Sequence, residues 1–120
     1  MINGKIRQFS PIVLYIYARC RWIAKERKRA GKKGHEFTIT LQDVEDIIFQ
    51  DCYYCGKKPA QKVERDEKLY NGIDRFDNDK GYVRENLVPA CGKCNRRKRQ
   101  ADFQEYLDTC RRVVAKWGMK

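Results

Sequence analysis

Two cysteine pairs, Cys52-x-x-Cys55 and Cys91-x-x-Cys94, carry the strongest chemical signal in the chain. Thiolates two residues apart can both turn onto one metal ion, because the turn between them presents its sulfurs and amides to the same point. Two such pairs complete a tetrahedral zinc site with Zn–S near ~2.3 Å. The stretch between the pairs is longer than in a compact zinc ribbon, so the staple is expected to clamp a whole subdomain at its root. Four thiolates leave no open coordination position, and this zinc would be structural. Two disulfides or an iron–sulfur cluster are the competing readings of the same spacing. Cys20 and Cys110 lie outside the pattern, and Cys110 falls in an apolar stripe where it reads as a buried small hydrophobe.

The elements that must position these cysteines follow from local patterning. Ser10-Pro11 predicts a helix start, with serine as cap and proline at the first helical position. Ile12, Tyr15, Ile16, Trp22 and Ile23 then mark its apolar face, and Gly31 and Gly34 its exit. Residues 36–40 alternate and are expected to be a short strand or an extended lead-in. Thr40 caps a helix over 41–50, with Asp43 as the partner of an imperfect capping box. That helix is acidic, so it is expected to face away from any nucleic acid and to deliver the first cysteine pair. Residues 57–70 read as a charged loop, and 72–77 and 82–88 as strands joined by a turn at 78–81. A short helix is expected from about Cys94. A last helix, capped by Asp102 with Glu105 three positions on, shows Phe103, Tyr106, Leu107, Cys110, Val113, Val114 and Trp117 at helical spacing, which predicts a core-facing side.

The 120 residues suit one domain, divided here into a basic helical arm over 1–35 and a stapled domain over 36–120. Lys and Arg total 27 against 16 acids, a net charge of +11, and that excess predicts a polyanionic partner, nucleic acid before membrane. Arg27, Lys28 and Arg29 end the first helix, and Lys93, Arg96, Arg97, Lys98 and Arg99 cluster after the second cysteine pair; both groups are candidate phosphate contacts. The apolar run 12–17 is too short to span a bilayer. With no signal peptide, paired cysteines favour metal over disulfides and an intracellular, reducing compartment.

Phe37-Thr-Ile-Thr-Leu, Cys52-Tyr-Tyr-Cys-Gly-Lys-Lys-Pro59, Asn71-Gly-Ile-Asp-Arg, Asn86-Leu-Val-Pro and Cys94-Asn-Arg-Arg-Lys together resemble the HNH endonuclease family, in the form found in phages and large DNA viruses. The resemblance covers residues 36–99 closely. It implies an α+β fold: a ββα-metal core stapled by a four-cysteine zinc site and flanked by N- and C-terminal helices. By position, Asp74 and Asn95 match the ligands of a catalytic Mg²⁺ or Mn²⁺, to which both offer hard oxygen. Asn86 matches the asparagine that fixes the hairpin loop through backbone hydrogen bonds. The departure is Arg75, where better-known members carry a general-base histidine; a guanidinium has no free lone pair to take a proton at neutral pH. It is left to hold phosphate or stabilise the transition state. Asp77, two residues on, would project to the same side of a strand as Arg75, and His35 reads as a surface or DNA-contact residue. The expected function is a metal-dependent endonuclease acting on duplex DNA as a monomer or homodimer. The alternative is a non-catalytic zinc module that binds DNA or RNA.

Overall fold

The computed structural model describes residues 8–98 and 103–118. Helix α1 (Pro11–Arg29) starts at the Ser-Pro pair, but the Ser10 hydroxyl makes no capping bond. The orphan N–H of Ile12 is taken instead by Oδ2 of Asp66, 3.1 Å away. The same carboxylate accepts from the Lys68 N–H at 3.0 Å. These two backbone donors, Lys68 first and Ile12 second, hold the Asp66 pKa below the ordinary carboxylate value. A tertiary cap thus replaces the expected local one and ties α1 to a strand in the middle of the chain.

Ile12, Val13, Ile16, Cys20 and Ala24 form the buried face of α1. Tyr15 and Trp22, read above as part of that face, are more than half exposed. The buried row runs at steps of four, and a second helix packs against α1. That helix, α2 (Leu41–Ile48), has both halves of the capping box: Asp43 N–H donates to Thr40 Oγ1 at 3.1 Å, and Thr40 N–H to Asp43 Oδ2 at 2.9 Å. Val44, Ile47 and Ile48 join the α1 face, with Ile39, Tyr82 and Leu87, in one core. Burial pushes the Cys20 thiol up to about 12, so it stays a neutral core side chain.

Residues 57–70 are more ordered than the expected loop. They contain β1 (Gln61–Val63) and β2 (Asp66–Tyr70), an antiparallel ribbon with Gln61 opposite Tyr70 and Val63 opposite Asp66. One face sets Val63 and Tyr70 against the core and buries Asp66, and the other is solvated; two apolar side chains in so charged a stretch are too few to announce an alternation. The lead-in at 36–40 makes a single parallel bridge between Phe37 and Tyr82.

The central hairpin pairs β3 (Gly72–Arg75) with β4 (Leu87–Ala90), and Asp74 stands opposite Val88. Both strands are shorter than expected, and the second is displaced, because a 3₁₀ turn at Arg84–Asn86 occupies part of the expected span. Helix α3 (Gly92–Lys98) follows and lies against β3. Helix α4 (Phe103–Trp117) buries no residue fully. Val113, Val114 and Cys110 are exposed, and Trp117 is 75 % exposed. Phe103, Tyr106 and Leu107 are half-buried, so the reading of that stripe as core is corrected for its C-terminal half, and Cys110 is not buried: periodicity reports an apolar face, not what covers it. The expected cap at Asp102 lies outside the described residues.

Candidate functional site

The hairpin root carries the four cysteines. The turn Cys52–Gly56 closes through Gly56 N–H to Cys52 O at 2.9 Å, with Gly56 at φ 79°, a left-handed value that suits glycine. Cys91 follows β4, and Cys94 lies in the first turn of α3. The four sulfurs lie within 4.8 Å of one another, and those of Cys55 and Cys91 are 3.7 Å apart. A tetrahedron with ~2.3 Å legs has edges of ~3.8 Å, whereas a disulfide needs ~2.05 Å. The thiols are free, and the cluster fits a structural zinc ion. Tyr106 of α4 donates its hydroxyl to Cys94 Sγ at 3.1 Å, which fastens α4 to the staple.

Tyr54, between the first two cysteines, links the staple to Asp74. Its hydroxyl donates to Asp74 Oδ2. Its ring packs among Tyr53, Phe103 and Tyr106 at centroid distances of 5.4, 5.8 and 5.9 Å. Burial, and next the bond to Asp74, push the phenol up, so Tyr54 remains a donor at neutral pH. Lys98 reaches the same carboxylate: its Nζ lies 3.2 Å from Asp74 Oδ2 and 3.3 Å from Arg75 O. Lys98 is fully buried. It therefore cannot lie along a DNA backbone, which corrects its reading as a phosphate contact.

Asp74 opens on a cleft of about 640 Å³ between α1 and the β3–α3 unit, whose lining includes Arg19 and Arg27, Asp74 and Arg75, and Asn95 and Arg96. Gly72 and Asp74 share one face of β3, and Asn95 Nδ2 lies 3.6 Å from the point a Gly72 Cβ would take. The Asp74 carboxylate and the Asn95 amide thus line the same cleft, and each carries a hard oxygen donor. Arg75 Nη1 donates to the carbonyls of Asn78 and Lys80 at 2.8 and 3.1 Å, and its guanidinium lies 5.8 Å from the Tyr82 ring. Gly34, at φ 77°, makes room for this group: a Cβ there would stand 2.5 Å from Arg75 Nη1. Burial and the Arg75 guanidinium push the Arg27 pKa down. Like charges facing one cleft favour an anion between them.

The remaining candidates fall elsewhere. Asp77 is beyond the end of β3, accepts the Asp79 N–H on Oδ1 at 2.9 Å, and is not among the described residues lining the cleft. β3 ends at Arg75 itself, two residues short of Asp77, so the strand step that would set the two side by side is not made. Asn86 is buried under the loop. Its Oδ1 accepts from Asp77 N–H at 2.9 Å, and its Nδ2 donates to the carbonyls of Asp77 and Gly81 at 3.1 and 3.0 Å. Asn86→Ala strands these three backbone groups and is expected to lower unfolding free energy by about 2–4 kcal/mol in urea titrations. Lys28 and His35 line a smaller groove with Arg21 and Lys25, away from Asp74. Arg29 is exposed and paired with Glu26. Lys93 and Arg97 are exposed on α3, and Arg99 lies outside the described residues. Arg19 belongs to the basic run of the first helix that the sequence reads as contacting phosphate, whereas Tyr54 and the inward course of Lys98 are contributions that local sequence reading missed. The one available signal was the position of Tyr54 inside a cysteine pair.

No protein-family model matches the chain. An uncharacterised protein of Acanthamoeba polyphaga mimivirus is 35% identical over 85 residues, which cover 71% of this chain and 15% of that protein. The matched stretch thus spans only 15% of the length of that relative. Among solved structures, the rare-cutting HNH restriction endonuclease PacI superposes with a TM-score of 0.57 at 17% identity, covering 96% of this chain and 84% of that one. The chain has the α+β fold of the HNH endonucleases, with a four-cysteine cluster at the root of its hairpin and helices on both flanks.

Proposed function

We propose that this chain is a metal-dependent endonuclease that hydrolyses phosphodiester bonds of duplex DNA. The observation that carries this reading is the cleft, whose described lining sets one buried carboxylate, Asp74, and the amide of Asn95 among four arginines. Asp74 and Asn95 would hold Mg²⁺ or Mn²⁺. Such an ion supplies charge stabilisation at the scissile phosphate and its leaving oxygen. Tyr54 keeps the Asp74 carboxylate in place from the staple side. Arg75, as a guanidinium, is a donor of hydrogen bonds and not a general base. Its loop tether holds the guanidinium at the cleft wall, where it meets phosphate charge. Arg19, Arg27 and Arg96 line the same cleft, and Lys93 and Arg97 extend the grip along α3.

The basic segment 1–35 reads as a DNA-contacting unit, with Lys28, Arg29 and His35 contacting the strand beyond the cleft. Zinc at the cysteines is structural, and free thiols suit a reducing compartment inside a cell. No helix among the described residues is long and apolar enough to cross a membrane. The protein acts as a monomer or as a homodimer that addresses both strands.

A supercoiled-plasmid assay with Mg²⁺, Mn²⁺ or EDTA, run beside Asn95→Ala, tests the reading. Metal-dependent nicking that disappears in the variant supports it. DNA retention on a gel without any cleavage favours the second reading, a zinc module that only binds DNA or RNA. One observation speaks for that module: Asp74 is already neutralised by Lys98. Under either reading, DNA affinity falls steeply with salt, and Arg19→Ala or Arg96→Ala each lowers the slope of log K against log salt by about 1. An unchanged slope removes that residue from the DNA-binding face.

A further inference from the structure

Helix α3 carries a run of cations, and one of them behaves unlike the others. Lys98 is the largest fully buried side chain among the described residues. It stands three positions after Asn95, so both lie on the side of α3 that crosses β3, Asn95 over Gly72 and Lys98 against Asp74. Its ammonium meets Asp74 Oδ2 at 3.2 Å, Arg75 O at 3.3 Å and the Tyr54 ring at 5.9 Å. Two oxygens and a ring face satisfy a group that has three protons to place. A buried cation persists only where it is paired in this way. Asp74 therefore has its counter-charge supplied from within the chain.

We propose that Lys98 is a built-in counter-cation of the divalent-ion site, an inference that rests on the reading of Asp74 as an ion ligand. In the ion-free protein Lys98 and Tyr54 share Oδ2 and keep the carboxylate aimed at the cleft. The fold consequently does not depend on the divalent ion. The same ammonium repels an arriving ion and competes with it for the carboxylate, so the ion binds loosely and exchanges readily. Lys98 is a positioning residue and touches no substrate in this scheme.

The test uses the zinc-loaded full chain and Mn²⁺ alone, with free Mn²⁺ followed by electron paramagnetic resonance and thermal melts recorded with and without the ion. Lys98→Met removes the charge and keeps most of the volume. It is expected to bind Mn²⁺ roughly tenfold tighter than wild type, because a competing cation is gone. Its melting point should also rise more on Mn²⁺ addition than that of wild type. Folding of Lys98→Met only when Mn²⁺ is present supports the proposal equally, since the ion then replaces the lost charge. Unchanged or weaker Mn²⁺ binding in Lys98→Met, with binding abolished in Asp74→Asn, overturns the counter-cation and leaves Asp74 a ligand. Equal binding by wild type and Asp74→Asn overturns both. Failure of Lys98→Met to fold at saturating Mn²⁺, while the double variant Asp74→Asn/Lys98→Met folds, reduces Lys98 to a structural charge partner and overturns the proposal.

Discussion

Replacing Asp74 with Ala is expected to slow metal-dependent cleavage of supercoiled DNA by about 10³-fold or more while leaving zinc content unchanged. Asp74 is the buried carboxylate of the arginine-lined cleft, and it is no part of the cysteine cluster. Its removal takes away an anionic ligand, and with it the placement of charge at the scissile phosphate. It also leaves Lys98 buried without its carboxylate, which costs about 3–5 kcal/mol of stability. The rate must therefore be read on protein shown to be folded, and the double variant Asp74→Asn/Lys98→Met supplies that control, since it removes both charges together. Wild-type cleavage by a folded Asp74 variant would end the assignment of this carboxylate to the chemistry.

Loss of zinc should act at least as strongly by a different route. Binding of a structural zinc is worth roughly 10–16 kcal/mol in small domains, comparable with the whole ~5–15 kcal/mol that holds a domain folded. Cys91→Ser is expected to lose the ion and to lower the melting temperature by ~20 °C or more. Cleavage should disappear with it, although the described cleft lining includes no cysteine of the cluster. The connection is Tyr54: the turn that holds Cys52 and Cys55 also aims its hydroxyl at Asp74. Tyr53 N–H to Pro89 O at 2.8 Å sews the same turn to β4. Zinc release by a thiol reagent, followed together with melting and nicking, measures all three effects. A normal melt in protein shown to be free of zinc would remove the staple from the account of stability.

What could be read without the structure is what local chemistry dictates. Cysteine spacing reports metal binding because two thiolates and their turn are set by neighbours in sequence, and the four sulfurs do converge. The capping box at Thr40 and Asp43 spans three residues and was legible for the same reason. Strand character, a turn signal and the second cysteine pair placed the hairpin and the short helix after it, with boundaries shifted by a few residues. Tertiary structure decided the rest. Lys98 looks like any member of a basic run, and only the crossing of α3 over β3 turns it inward to Asp74. Asp66 looks like a charge in a polar stretch, and only the docking of α1 makes it a helix cap. The apolar stripe of α4 predicts a buried face, yet Trp117 stands in solvent because burial depends on a partner surface that periodicity does not specify. Charge and amphipathicity are properties of a segment; their direction is a property of the packed whole.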